Sequence, residues 1–237
     1  QMITRSFTQL SRITVSTVPS TSHALPTVLS RGYCGKINNC WSCLTCKNSR
    51  SNLFCDKCGQ LQPPSKVNLF EYVGMTPQFD IDEMAVKRRL IQLSAKIHPD
   101  KFSTASQQEK DLSEEHTRLV STARSMLSDP VKRSRYLIQL SKGDKQIHVE
   151  DDDVQSKETF SPEVLMEIFE LNERVEDATS EKEKEEILNE IGDEKREIEK
   201  RITNAFNGKK IEEAEKETSK LAYLMSIKKR LLNSIRG

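Results

Sequence analysis

The chain is 237 residues long, 35% hydrophobic, 31% charged and 5% aromatic; that length suits one or two domains, and its wealth of Glu, Lys, Leu and Ile favours helices over a β-sandwich. Its 37 basic and 36 acidic side chains nearly cancel, which argues against wholesale attraction to nucleic acid or anionic membrane. No apolar run approaches the roughly 20 residues that a membrane-spanning helix needs.

The charge is unevenly spread, because no Asp or Glu precedes Asp56. Residues 1–33 set Arg5, Arg12 and Arg31 among Ser and Thr, with Ile3, Phe7, Leu10 and Ile13 interleaved. That is the chemistry of a mitochondrial presequence, and the uninterrupted apolar stretch of a secretory signal is missing. The expected location is the mitochondrial matrix, with a cytoplasmic pool as a secondary one.

All six cysteines fall within residues 34–65, the expected metal-binding domain. Cys55-x-x-Cys58 followed by Gly59 has the tight-turn form of a zinc knuckle; Cys40-x-x-Cys43 or Cys43-x-x-Cys46 supplies the other half. Four thiolates from two such turns surround Zn²⁺ tetrahedrally and stabilise a segment too small for a core of its own. Iron is compatible with the same ligands. A disulfide framework suits a secreted chain, and a redox pair needs a βαβ setting that this segment does not offer. Trp41, Phe54, Lys47 and Arg50 would serve a nucleic-acid-binding zinc ribbon, but no wider basic surface accompanies them.

After the proline-marked linker "QLQPPSK", residues 66–141 read as a helical unit. Asp82 is placed as an N-cap, with Ile81 and Val86 forming a hydrophobic staple across it. Val86, Leu90, Leu93 and Ile97 recur on one face, leaving Lys87, Arg88, Arg89 and Lys96 largely outside it. Pro99 cannot continue the helix and pushes His98 toward extended backbone, so a loop opens at His98-Pro99-Asp100. A second helix is predicted over 107–127, burying Leu112, Leu119, Ala123 and Met126, and Asp129-Pro130 starts a third that ends near 140. His116, beside Glu114 and Glu115, reads as a surface or half-buried structural histidine. The basic face and the rigid loop together suit an acidic protein partner. No Ser/His/Asp set, glycine-rich phosphate loop or pair of acid/base carboxylates stands out, so no enzymatic site is expected.

This region resembles a J-domain, the module by which co-chaperones stimulate the ATPase of DnaK-type heat-shock chaperones. The resemblance implies that His98, Pro99 and Asp100 contact the chaperone as regulatory groups rather than catalysts, with Lys87, Arg88, Arg89 and Lys96 steering the approach.

Residues 142–158 read as a polar linker, and residues 159–237 as three amphipathic helices over 161–178, 180–206 and 209–235, the first opened by Ser161-Pro162. Ile187, Ile191, Ile198, Ile202 and Phe206 mark the second, and Ile211, Ala214, Leu221, Leu224 and Leu231 the third. On the first, Val164, Ile168, Leu171 and Val175 make the face that a bundle needs. At 100° per residue, Leu165, Met166 and Phe169 lie on the opposite side beside Glu170, Glu173 and Asp177. An apolar stripe edged by carboxylates has the form of a partner site.

With "VLMEIFELNERVEDA" and "KLAYLMSI", the whole chain resembles the HscB-type co-chaperones of mitochondrial iron–sulfur cluster biogenesis. That resemblance implies that Leu165, Met166, Phe169, Glu170, Glu173, Asp177 and Tyr223 grip the iron–sulfur cluster scaffold protein. It also implies that cluster passes to acceptor proteins when the chaperone hydrolyses ATP. Animal members carry an N-terminal domain of the form "CW-x-C…FC-x-x-C", which selects Cys40, Cys43, Cys55 and Cys58 as ligands and leaves Cys34 and Cys46 spare. The expected architecture is mainly α: a small four-cysteine zinc domain, a helical-hairpin J-domain and a C-terminal three-helix bundle. A homodimer is compatible with it; nucleic acid and membrane are not expected partners. The competing readings are a general zinc-containing J-protein for client folding and a zinc-ribbon nucleic-acid binder.

Overall fold

The computed structural model describes residues 39–44, 53–65, 67–143 and 162–236. The expected presequence, Cys34, Cys46 and most of the 142–158 linker lie outside them. Among the described residues there are seven α-helices, and the β-structure with a described partner is one isolated bridge between Phe54 and Leu61.

The first helix, α1 (Leu69–Val73), was not anticipated, since five residues are too few to display a helical period. Its ends carry the signals that reveal it. The Asn68 side chain accepts the Glu71 amide at 2.9 Å, and Gly74 closes the helix at φ 79°, where a Cβ would be strained. The Leu69 amide donates to the Tyr136 hydroxyl at 2.9 Å, and Phe70 stacks on the Tyr136 ring at 5.9 Å.

Helix α2 (Glu83–Ile97) starts where Asp82 caps it, accepting the Ala85 amide at 3.0 Å. Val86, Leu90 and Ile97 are buried and Leu93 is half-buried. At His98 the backbone turns extended (φ −56°, ψ 129°), as the following proline demands, and a 3₁₀ turn spans Pro99–Phe102. Helix α3 (Gln107–Ser128) returns antiparallel against α2. Its buried face is centred on Leu112, His116, Val120, Ala123 and Leu127; Leu119, expected inside, is half-buried. The inner face runs through His116 and Val120, which leaves Leu119 at its edge.

Asp129 caps α4 (Pro130–Ser141) by accepting the amides of Val131 and Lys132 at 2.8 and 3.0 Å. From α4 the buried Arg133 donates to the carbonyls of Phe79 (2.9 Å) and Leu127 (2.7 Å) and lies 5.1 Å from the Phe79 ring centroid. Its burial lowers the guanidinium pKa from the ordinary value, and the carboxylates of Glu83, Glu199, Asp129 and Asp80 oppose that loss.

Helices α5 (Pro162–Asp177), α6 (Glu181–Asn207) and α7 (Ile211–Arg236) follow. Ser180 and Glu183 form a reciprocal capping box at the start of α6. Ile187, Ile191, Ile198 and Ile202 face Leu221, Leu224, Ile227 and Leu231, whereas Phe206 and Ile211, expected on those faces, are half-buried. Helix α7 also packs along α4, with Ser134 and Thr218 sharing a buried hydroxyl hydrogen bond of 2.6 Å. Phe206 stacks on Phe79 at 6.2 Å. One hydrophobic core therefore runs without a break from Leu61 to Leu231.

Candidate metal centre and docking surfaces

The Sγ atoms of Cys40, Cys43, Cys55 and Cys58 all lie within 4.8 Å of one another. Cys40 and Cys58 are 3.5 Å apart, and Cys43 and Cys55 3.8 Å. Four thiolates 2.3 Å from a tetrahedral Zn²⁺ define edges of about 3.8 Å, so the arrangement fits a tetrathiolate metal ion. The two turns are alike in backbone. Leu44 donates to the Cys40 carbonyl at 3.1 Å and Gly59 to the Cys55 carbonyl at 2.9 Å, and both adopt the left-handed conformation, with φ 59° and 73°.

The donors around the sulfurs favour thiolate. Amides of Ser42 and Cys43 and the Gln62 side chain point at Cys40 Sγ (3.3, 3.5 and 3.3 Å), and the Lys57 amide at Cys55 Sγ (3.4 Å). At Cys58 the Gln60 backbone works to lower the thiol pKa, but desolvation and the neighbouring Cys55, Cys40 and Cys43 sulfurs raise it to about 11. Four thiols packed this closely shed their protons readily only when a cation compensates the charge.

The cluster is tied to the helices behind it. The Trp41 indole donates to the Leu61 carbonyl at 2.7 Å, and Leu61 is fully buried. The Gln62 carbonyl accepts from His116 Nε2 at 2.8 Å, and His116 Nδ1 meets the Tyr72 hydroxyl at 2.8 Å. A carbonyl only accepts, so Nε2 carries the proton and Nδ1 takes the Tyr72 hydrogen in the neutral ring. At 1% exposure His116 is core, not surface. Burial lowers its pKa from the ordinary 6.5, with the Gln62 carbonyl and Glu115 opposing. Burial likewise raises that of Tyr72, helped by Glu115.

A second site is the turn at residues 98–100. The side chains of His98 and Asp100 are exposed, and the Asp100 amide donates to His98 Nδ1 at 3.3 Å. Behind them Phe102 is buried, and Ser113 Oγ donates at 2.7 Å to the Ile97 carbonyl, one of the last carbonyls of α2. Lys87, Arg88, Arg89 and Lys96 are exposed along α2, with Arg88 3.6 Å from Asp82. Met84 and Ile91 are exposed on the same helix. The sequence reasoning missed them, although their seven-residue spacing around Arg88 aligns them along one stripe.

A third site is the outer side of α5, where Leu165, Met166 and Phe169 are 50%, 66% and 68% exposed. Glu170, Glu173 and Asp177 are exposed beside them. Tyr223 sits apart, half-buried at the seam of α5 and α7, where its hydroxyl accepts from Asn172 Nδ2 at 2.9 Å. Asn172 also donates to the Ile168 carbonyl at 2.8 Å and meets Arg230. Val164, Ile168, Leu171 and Val175, the expected inner face, are half-buried.

A helical hairpin with His-Pro-Asp at its turn, packed through its last helix onto a second helical unit, defines a J-domain co-chaperone. Within that class, the chain belongs to the HscB family of iron–sulfur cluster co-chaperones. It is 32% identical to the mouse iron-sulfur cluster co-chaperone protein HscB over 196 residues, which span 81% of this chain and 80% of the mouse protein. With the human protein of the same name it shares 30% over 195 residues, spanning 81% and 80%. Residues 160–232 match a family model described as the HSCB C-terminal oligomerisation domain. The crystal structure of human co-chaperone protein HscB aligns at a TM-score of 0.71 and 30% identity, covering 84% of this chain and 100% of that one. The chaperone HscB from Vibrio cholerae, 23% identical, shares the fold at a TM-score of 0.60 over 72% of this chain and 98% of its own.

Proposed function

We propose that the chain is a mitochondrial-matrix adaptor in iron–sulfur cluster biogenesis, with no catalytic centre of its own. The stripe of Leu165, Met166 and Phe169, with Glu170, Glu173 and Asp177 at its edge, binds the cluster scaffold protein. Tyr223 acts at the α5–α7 seam, where it holds Asn172 and so fixes the pitch of α5. The turn of His98, Pro99 and Asp100, with Lys87, Arg88, Arg89 and Lys96 on α2, docks on a DnaK-type heat-shock chaperone and stimulates its ATPase, driving cluster transfer to acceptor proteins. Met84 and Ile91 add apolar contact to that surface. The four cysteines bind a structural Zn²⁺.

The observation that carries this reading is the pair of dissimilar exposed surfaces on one continuous core. One is basic and rigid, the other apolar and acid-edged. Each suits a different partner, so the chain brings two proteins together. The test is the steady-state ATPase rate of the mitochondrial chaperone with this chain, with the scaffold, and with both. A rate with both that exceeds the sum of the separate stimulations is expected; a scaffold that adds nothing would sink the adaptor role.

A further inference from the structure

Gln62 touches both the metal cluster and the helical hairpin. Its side-chain nitrogen donates to Cys40 Sγ at 3.3 Å and to the Gln60 carbonyl at 2.8 Å. The Gln60 carbonyl only accepts, which fixes the orientation of the amide. Its backbone carbonyl accepts from His116 Nε2 in the middle of α3, and His116 Nδ1 accepts from Tyr72 on α1. The residues on either side are bound to the same framework. Gln60, with its amide nitrogen turned toward Glu109 of α3, donates at 2.7 Å, and the fully buried Leu61 carries the Trp41 indole on its carbonyl. A metal-ligand sulfur and the hairpin's buried histidine thus share one residue.

Polar groups so deeply buried hold their geometry only while every partner is in place. With the metal gone, nothing ties the four sulfurs to one centre, and the turns on which residues 60–62 hang loosen. The Gln62 carbonyl then leaves His116, and an N–H stays buried without an acceptor. We propose that Gln62 and His116 couple the metal centre to the hairpin: Zn²⁺ binding at the four cysteines and closure of α1 against α3 stabilise one another. His116 is a positioning residue that acts on the metal through Gln62. The inference rests on the four-thiolate reading and is independent of what docks on the hairpin.

Linkage makes the coupling reciprocal: whatever factor metal contributes to closing the hairpin, an intact joint returns to metal affinity. The test uses the full chain loaded with Zn²⁺. Zinc affinity is measured against a chromophoric chelator in wild type, His116→Leu and His116→Gln, and amide exchange is followed in residues 69–73 and 112–120 before and after chelation. His116→Leu, which can neither donate nor accept, should bind zinc about tenfold more weakly. His116→Gln, whose amide donates to Gln62 and accepts from Tyr72, should stay within about twofold. Chelation should speed exchange in both helical segments of the wild type. Should His116→Leu fail to fold, Tyr72→Phe keeps the ring stacked at 5.9 Å but removes the hydroxyl, and is expected to weaken zinc in the same direction. Unchanged zinc affinity in the folded variant, or faster exchange confined to residues 39–62, would overturn the coupling; a full chain that binds no Zn²⁺ would overturn it together with the four-thiolate reading. Neither chaperone nor scaffold enters the experiment, so a failure here and a failure of the adaptor role are distinguishable.

Discussion

His98 and Asp100 stand in solvent, yet what holds them still lies behind them. Pro99 restricts the backbone, Phe102 is sunk into the core, and Ser113 takes up the Ile97 carbonyl. The two exposed side chains touch only locally, through a long contact of the Asp100 amide with His98 Nδ1 and a 3.5 Å approach of the Asp100 carboxylate to the same nitrogen, both screened by solvent. His98→Gln or Asp100→Asn should therefore shift folding stability by no more than about 0.5 kcal/mol while abolishing stimulation of the chaperone ATPase. Paired urea titrations and ATPase assays check this, and full stimulation by both variants would exclude the docking role. This turn was legible in the sequence because proline and its neighbours obey local sterics. His116 was not, since its environment comes from Gln62 and Tyr72, which lie 54 and 44 positions away in the chain.

Helix α5 was half legible. Its outward side followed from helical geometry alone, and Leu165, Met166 and Phe169 are exposed as expected. The burial of its inward side did not follow, because periodicity reports a direction and not a depth. Val164, Ile168, Leu171 and Val175 point the right way but stay half-buried, as α5 lies at the margin of the part of the core that α6 and α7 build. Replacing Leu165, Met166 and Phe169 together with Ala should cost scaffold binding about 2 kcal/mol or more from the best anchor alone. The urea midpoint should scarcely move, whereas Leu221→Ala, in the fully buried seam, should cost roughly 2–5 kcal/mol of folding stability. Calorimetric titration with the scaffold and urea midpoints separate the two; a large midpoint loss in the triple variant would show that the stripe is needed for folding. Spacing made Cys43, Cys55 and Cys58 legible but left Cys40 and Cys46 as alternatives, which the family resemblance resolved toward the Cys40 of the observed cluster, while the short α1 was too brief to register.

Across the whole molecule, the buried neutral imidazole makes stability depend on pH. The unfolded chain takes up a proton at His116 near the ordinary pKa of 6.5, and the folded chain refuses it until lower pH. Stability is therefore fully present above that value and declines as pH falls through it. Between about pH 7.5 and about pH 5.5 the wild-type urea midpoint should fall further than that of His116→Gln, which keeps the hydrogen bonds but does not titrate. Proton competition for the thiolates acts on both proteins alike, so the difference between them isolates His116.

The seam of α4 against α7, with Ser134 facing Thr218, has a consequence for how two partners would meet. Two recognition modules joined by a flexible tether find each other's cargo at an effective concentration that falls roughly as the −3/2 power of the tether's length. Here the covalent route between α4 and α5 is bypassed by a packed joint, and the separation of the hairpin turn from the α5 stripe is set by side-chain packing rather than chain statistics. The chain would then behave as a spacer of one length: on the proposed reading, a scaffold seated on α5 would be delivered at a single bearing to whatever held His98. Loosening the seam would dilute that delivery even with every contact residue intact.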